Sequence, residues 1–151
     1  MRDRRFIAIH RGGSLSSAEH RDLVAWASDC AEHVLPLFYE HRSDDRPYHA
    51  IESARAWAKG QISVGDARKA AFGAHDAARN VRSKSASAAA RATGHAVATA
   101  HMADHCLQAA TYALKAVQEA GSSIEAERAW QIERLPDDVR ELVLSALGLS
   151  A

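Results

Sequence analysis

Alanine dominates the middle of this 151-residue chain, and runs of β-branched residues are nearly absent. Alanine has the highest helix propensity, because it loses no side-chain entropy when a helix forms. Apolar residues also recur at helical spacing along most of the chain. These features predict an all-α protein, a single-domain bundle of about five to six helices over residues 1–151 with a central alanine-rich helix. Phe6–Ile9 is the one candidate for a short N-terminal strand.

The first half of the chain is predicted to form three helices. The first begins at Ser16, which with Glu19 has the spacing of a capping box, and Pro36 ends it. The second covers residues 47–60, since proline suits a first helical turn and glycine a C-terminal stop. The third begins at Ser63 and carries alanines on its inner side.

A long central helix is predicted for the second half. The polar segment Ser83–Ser87 is interpreted as a linker, after which the helical pattern continues to Ala120, with Gly94 as the candidate point of interruption. Two shorter helices, separated at Pro136, complete the chain. The predicted inner stripe of the long helix consists of Ala96, Thr99, Ala103, Leu107, Ala110, Leu114 and Val117.

Composition excludes several function classes. Nineteen basic residues balance nineteen acidic ones, without the basic surplus or stripe that is typical of nucleic-acid binders. No segment resembles a signal peptide or approaches the roughly 20 apolar residues of a membrane helix. The two cysteines, Cys30 and Cys106, make no disulfide framework, and we expect both to be buried, inert thiols. We therefore expect a cytoplasmic protein with no nucleic-acid or membrane partner.

The stretch from Gly94 to Cys106 concentrates three histidines in the predicted long helix. On a continuous helix, His101 and His105 fall about 40° apart on a polar edge, whereas His95 lies about 15 Å along the axis from His105. The remaining His-x-x-x-His pair lacks the glutamate that serves as general base in metalloproteases. It would also need a third ligand from another helix. The candidates for that ligand are Asp29, Glu32, His33, Glu52 and His75.

Polar residues also lie beside the predicted core stripes of the first two helices. Glu52 and Arg55 are three residues apart, which is the spacing of a surface ion pair within one helix. The alternative is a polar patch that contacts a partner. The three tryptophans, Trp26, Trp57 and Trp130, lie at core spacings and are expected to pack inside the bundle. The candidate binding residues are Asp29, Glu32, His33, Glu52 and Arg55.

Three stretches of the chain together resemble a known family. They are HRGGSLSSAEHRDLVAWASDCAEHVLPLF, RPYHAIESARAWAKGQISVGDARKAAF and AAARATGHAVATAHMADHCLQAATYALKAV. The most specific runs are W-A-x-x-C-A-E-H-V-L-P-L-F at Trp26–Phe38 and A-I-E-x-A-R-A-W-A-x-G at Ala50–Gly60. Over residues 6–147, the chain resembles the putative immunity protein family, the immunity-protein-five-like domain of bacterial polymorphic toxin systems.

The resemblance implies a helical, non-enzymatic protein that is encoded beside a toxin and neutralises this cognate toxin by binding it. It supplies no catalytic residues. Immunity proteins against nucleases are often acidic, whereas this chain is neutral, so a nuclease target is not implied. The alternative hypothesis is a metal-binding helical bundle, or a metal-dependent enzyme, centred on His101 and His105. A third is a homo-oligomer in which small-residue faces pair between chains.

Overall fold

A computed structural model describes residues 2–149, and these residues are helical along most of their length. Short 3-10 turns lie at Arg4–Phe6, Ile9–Arg11 and Asp137–Val139. The all-α prediction is confirmed. The α-helices are α1 (Ser17–Val34), α2 (Pro36–Tyr39), α3 (Arg46–Ala58), α4 (Val64–Arg79), α5 (Lys84–Ala98), α6 (His105–Glu119), α7 (Ile124–Glu133) and α8 (Arg140–Ala146).

The candidate strand at Phe6–Ile9 does not form. Ala8 and Leu15 make only an isolated bridge, and no strand occurs within residues 2–149. Gly12 has a φ of 89°, which reverses the chain, and the Leu15 N–H donates to the Ile7 carbonyl at 3.0 Å. With no further strand to extend this bridge, the segment folds into 3-10 turns that cover the end of the bundle.

The predicted helix starts and stops in the first half are confirmed. The Glu19 N–H donates to Ser16 Oγ at 3.1 Å, and the Ser16 N–H donates to Glu19 Oε1 at 2.8 Å, which completes the capping box. Pro36 begins α2 immediately after α1 ends. At the start of α4, Ser63 Oγ accepts from the Asp66 N–H at 3.1 Å. Each cap satisfies a backbone donor that would otherwise lack a partner within the helix.

The prediction of a single long helix is wrong, because residues 99–104 form a turn between α5 and α6. Tight hydrogen bonds form there, such as the one from the His101 N–H to the Ala98 carbonyl at 3.0 Å. The turn lets α6 pack against α5 more extensively than any other two helices pack. The proposed linker at Ser83–Ser87 is also wrong, because Ser83 caps α5, which begins at Lys84.

Alanines allow this close packing. The buried residues of α5 and α6 are mostly alanines, and small side chains bring the two helix axes near each other. Larger side chains of α1 fill the space on one side, and Trp26 is only 1% exposed. The Trp26 indole N–H donates to the Gln131 carbonyl at 2.8 Å, and the buried Gln131 side chain donates to the Ala110 carbonyl at 3.0 Å. These two bonds fix α7 against α1 and α6.

Candidate functional site

Four of the five candidate binding residues meet on one surface. Asp29, Glu32 and His33 lie in the second half of α1, and Arg55 reaches them from α3. Trp130 and Arg134 join the same surface from α7 and its C-terminal cap. We call this surface, formed by Asp29, Glu32, His33, Arg55, Trp130 and Arg134, the α1–α7 face.

Arg55 holds the acidic half of the α1–α7 face together. Its Nη1 and Nη2 donate to the two carboxylate oxygens of Glu32 at 2.8 and 2.9 Å, and its Nη2 also donates to Asp29 Oδ1 at 2.9 Å. The hydrogen bonds from Arg55 lower the pKa of Glu32, because they stabilise its charged form. The predicted ion pair between Glu52 and Arg55 is wrong. Arg55 turns towards α1, and Glu52 lies exposed, outside the face.

The aromatic half is built on His33. Its ring lies 3.6 Å from the Trp130 ring, between centroids, and the two planes are nearly parallel at 3°. Its Nδ1 lies 2.7 Å from Glu127 Oε2, so the imidazole donates to a carboxylate that is 8% exposed. The Arg134 guanidinium lies 4.3 Å from the Trp130 ring centroid, a cation–π contact. Sequence analysis missed Glu127 and Arg134, and it wrongly placed Trp130 in the core, since that side chain is only partly buried.

Between these halves lies a groove of about 460 Å³. It presents an indole, an imidazole, two carboxylates and a guanidinium, and no cysteine is among its lining residues. Cys30, three residues before His33, is 0% exposed, and burial raises the pKa of its thiol well above the ordinary value. Cys106 is equally buried, as expected. The groove can therefore bind another molecule, and it offers no thiolate for covalent chemistry.

The histidines lie elsewhere and in a different arrangement from the predicted one. His101 lies in the turn after α5, so it does not share a helix edge with His105. His95, which the continuous helix excluded, is the residue that contacts His105: their Nδ1 atoms lie 3.0 Å apart. The His75 ring of α4 lies 5.0 Å from that of His95, and Tyr112 stacks on His95 at 5.2 Å.

Burial keeps this histidine cluster, His75, His95 and His105, uncharged. It lowers the pKa of His95 to about 4, helped by the neighbouring His75 and His105, and it lowers the pKa of the other two. Among residues 2–149, no three His, Cys, Asp or Glu side chains are arranged to hold a metal ion. The prediction of a metal pair at His101 and His105 assumed one continuous helix, and the turn at residues 99–104 removes that basis.

Comparison with protein families identifies the chain. A family model described as Imm-5 like putative immunity protein matches residues 13–138. The chain belongs to this family. The matched segment of this Imm-5 like protein includes every residue of the α1–α7 face and of the histidine cluster. The curated proteins and the solved structures that were searched gave no match.

The family description names an immunity protein. None of the helices within residues 2–149 has the length and apolar character needed to cross a bilayer. Four of the five residues predicted to bind a partner lie together on the α1–α7 face, and their role in binding stays a prediction.

Proposed function

We propose that this protein is an immunity protein that neutralises a cognate toxin by binding it directly, without catalysis. Family membership supports the proposal, since the matched description is that of an immunity protein. On this proposal, the protein acts in the bacterial cytoplasm as part of a polymorphic toxin system, and the α1–α7 face contacts the toxin.

The α1–α7 face is proposed as the toxin contact because of the side chains in its aromatic half. Trp130 is partly exposed, yet it is held in place by stacking on His33 and by the Arg134 guanidinium. Tryptophan and arginine are the residues most enriched among those that dominate binding energy. An indole that is already ordered loses little side-chain entropy when a partner covers it. Trp130 is therefore suited to be the anchor of the interface.

The acidic half suits the rim of such an interface. The side chains of Asp29 and Glu32 are 45% and 48% exposed, even though both bind Arg55. Exposed charges of this kind steer association and select partners more than they add affinity. The toxin surface opposite them is expected to carry Lys or Arg. Glu52 remains a predicted contact at the edge of this region, one helical turn before Arg55.

A growth-rescue experiment tests the proposal. Each toxin-like gene encoded beside this protein is expressed alone and together with it, and colony formation is counted. We expect one of these toxins to kill cells alone and to be tolerated in the presence of the protein. Failure to rescue cells from every neighbouring candidate would contradict the proposal.

Variants locate the surface. The double variant Asp29→Asn with Glu32→Gln replaces both carboxylates by amides. It is expected to weaken rescue when the protein is expressed at a limiting level, because the negative charge that faces the toxin is removed. Glu40→Gln changes an exposed carboxylate that is not one of the residues forming the face, and it should rescue like the wild type. Equal rescue by the double variant and the Glu40→Gln control would place the interface elsewhere. The unfolding temperature of each variant, measured in parallel, separates loss of binding from loss of fold.

A further inference from the structure

A second concave surface carries an unbalanced positive charge. It lies between the start of α5 and the second half of α6, where it encloses about 340 Å³. The small side chains of Ser87 and Ala88 contribute to its lining on the α5 side. We call it the α5–α6 groove; its polar and aromatic lining residues are Arg82, Lys84, Arg91, Tyr112, Lys115 and Glu119.

Four cations line the groove against one carboxylate, Glu119. Across the part of the chain that the structure describes, none of the four lies within 4.0 Å of a carboxylate. Some arginines elsewhere are paired with a carboxylate, as Arg46 is with Asp44 and Arg55 with Glu32, while others, such as Arg68, have no such partner among the described residues. What distinguishes the groove is that four cations share it with a single carboxylate. The groove therefore has a positive potential that the protein itself does not neutralise.

Helix α5 adds to this potential. It begins at Lys84, inside the groove, and has no acidic residue in its first turn. The start of a helix carries a partial positive charge, which a nearby carboxylate usually offsets. Such a carboxylate is present in the first turns of α1 and α4, as Glu19 and Asp66. In α5, as in α3 and α6, the first turn has no acidic residue, and here it carries Lys84 instead, which adds to the positive charge of the groove.

The available donors match an anion with several charges. The Ser87 hydroxyl already donates to the Ala78 carbonyl at 3.0 Å, so the donors that remain are the cationic side chains. Lys115 lies over the Tyr112 ring, 5.9 Å from its centroid, which holds the ammonium group at the groove. A phosphate group carries up to two negative charges and three strong acceptor oxygens, and the arginine fork binds it through two hydrogen bonds. A single carboxylate would neutralise less of this charge.

We propose that the α5–α6 groove binds the phosphate groups of a small phosphorylated ligand. A volume of about 340 Å³ lies within the range of small-molecule pockets and exceeds what one phosphate ion fills. The ligand therefore carries two phosphates or a phosphate with an attached group. This site lies apart from the α1–α7 face and does not depend on toxin binding.

Titration of the full-length protein with inorganic pyrophosphate, followed by NMR of its backbone amides, tests the site. We expect saturable shifts confined to residues around the groove. Arg91→Gln with Lys115→Gln should weaken binding about tenfold or more, because two charge-assisted hydrogen bonds are lost. Lys59→Gln removes an exposed lysine outside the groove and should leave the affinity unchanged. If the double variant unfolds, Lys84→Gln alone serves, with a smaller loss expected.

Two further titrations identify the source of the phosphate. Tighter binding of adenosine diphosphate than of pyrophosphate would assign a nucleotide, and equal binding would assign free phosphates. A peptide of four glutamates serves as a carboxylate probe of similar charge. Tighter binding of this peptide, an equal loss of affinity in Lys59→Gln, or the absence of saturable shifts would each overturn the proposal.

Discussion

Arg55 shows why the residues of the α1–α7 face could be selected from the sequence while their contacts could not. Local spacing suggested Glu52 as its partner, since three residues separate them on α3. The actual partners, Asp29 and Glu32, lie on α1, and only the packing of α3 against α1 brings them within reach. Trp130 was misplaced for the same reason, since helical spacing identifies a stripe and does not say how deeply each residue is covered.

Gly94 illustrates a contact that depends on the absence of a side chain. A Cβ at this position would lie 2.7 Å from two atoms of the His75 ring, which itself packs edge-on against His95. We expect Gly94→Ala to destabilise the protein by about 1–2 kcal/mol, since overpacking outweighs the gain in helix propensity. Urea unfolding measures this change.

Gly73 provides the matched control. A Cβ there would meet only Arg46 side-chain atoms, at 3.6 Å or more, which is ordinary contact. Gly73→Ala should therefore stabilise α4 by up to about 1 kcal/mol. In a His75→Ala background, the cost of Gly94→Ala should disappear. A Gly94→Ala protein as stable as Gly73→Ala would show that the His75 ring moves aside without cost.

Among the helices, the break between α5 and α6 is the main feature that the sequence concealed. Residues 99–104 contain neither Gly nor Pro, so no local signal placed the break there, and Gly94, the candidate point of interruption, lies within α5. The break forms because it allows the alanine faces of α5 and α6 to pack together, a tertiary gain that outweighs local propensity. It also moved the histidines: His95 and His105, far apart on one helix, become neighbours on two.

The histidine cluster should make stability depend on pH. The pKa values of His75, His95 and His105 lie below the value of about 6.5 for an exposed histidine. As the pH falls below about 6.5, the unfolded chain therefore binds more protons than the folded protein does. The stabilisation by the uncharged cluster is complete above about pH 6.5 and is lost progressively towards pH 4. We expect the free energy of unfolding, from urea titrations at pH 7.5 to 4.5, to fall over this window.

Substitutions identify the source of that dependence. His95→Asn should flatten the fall between pH 6.5 and 4.5, because the most strongly shifted group is removed. His41→Asn replaces an exposed histidine and should leave the profile unchanged. A profile for His95→Asn as steep as that of the wild type would assign the acid sensitivity to other groups.

For the whole molecule, composition predicted the class of fold and missed the distribution of charge. The all-α architecture followed from alanine content and helical periodicity, and it is confirmed. The net charge of zero gave no sign of the α5–α6 groove, because only the packing of α6 against α5 brings Lys115 beside Arg82, Lys84 and Arg91. The chain is neutral only as a sum, so the excess positive charge of this groove is balanced by acidic residues elsewhere in the protein.

Direct calorimetric titration of the purified cognate toxin into this protein tests toxin neutralisation by binding at the α1–α7 face. We expect saturable binding to the wild type, and a dissociation constant about thirtyfold or more higher for Trp130→Ala, as for an anchor residue worth about 2 kcal/mol. Phe72→Ala, which removes an aromatic side chain that is 63% exposed on α4, should bind like the wild type. Absence of wild-type binding, or equal affinity of Trp130→Ala and the wild type, would contradict neutralisation through this face.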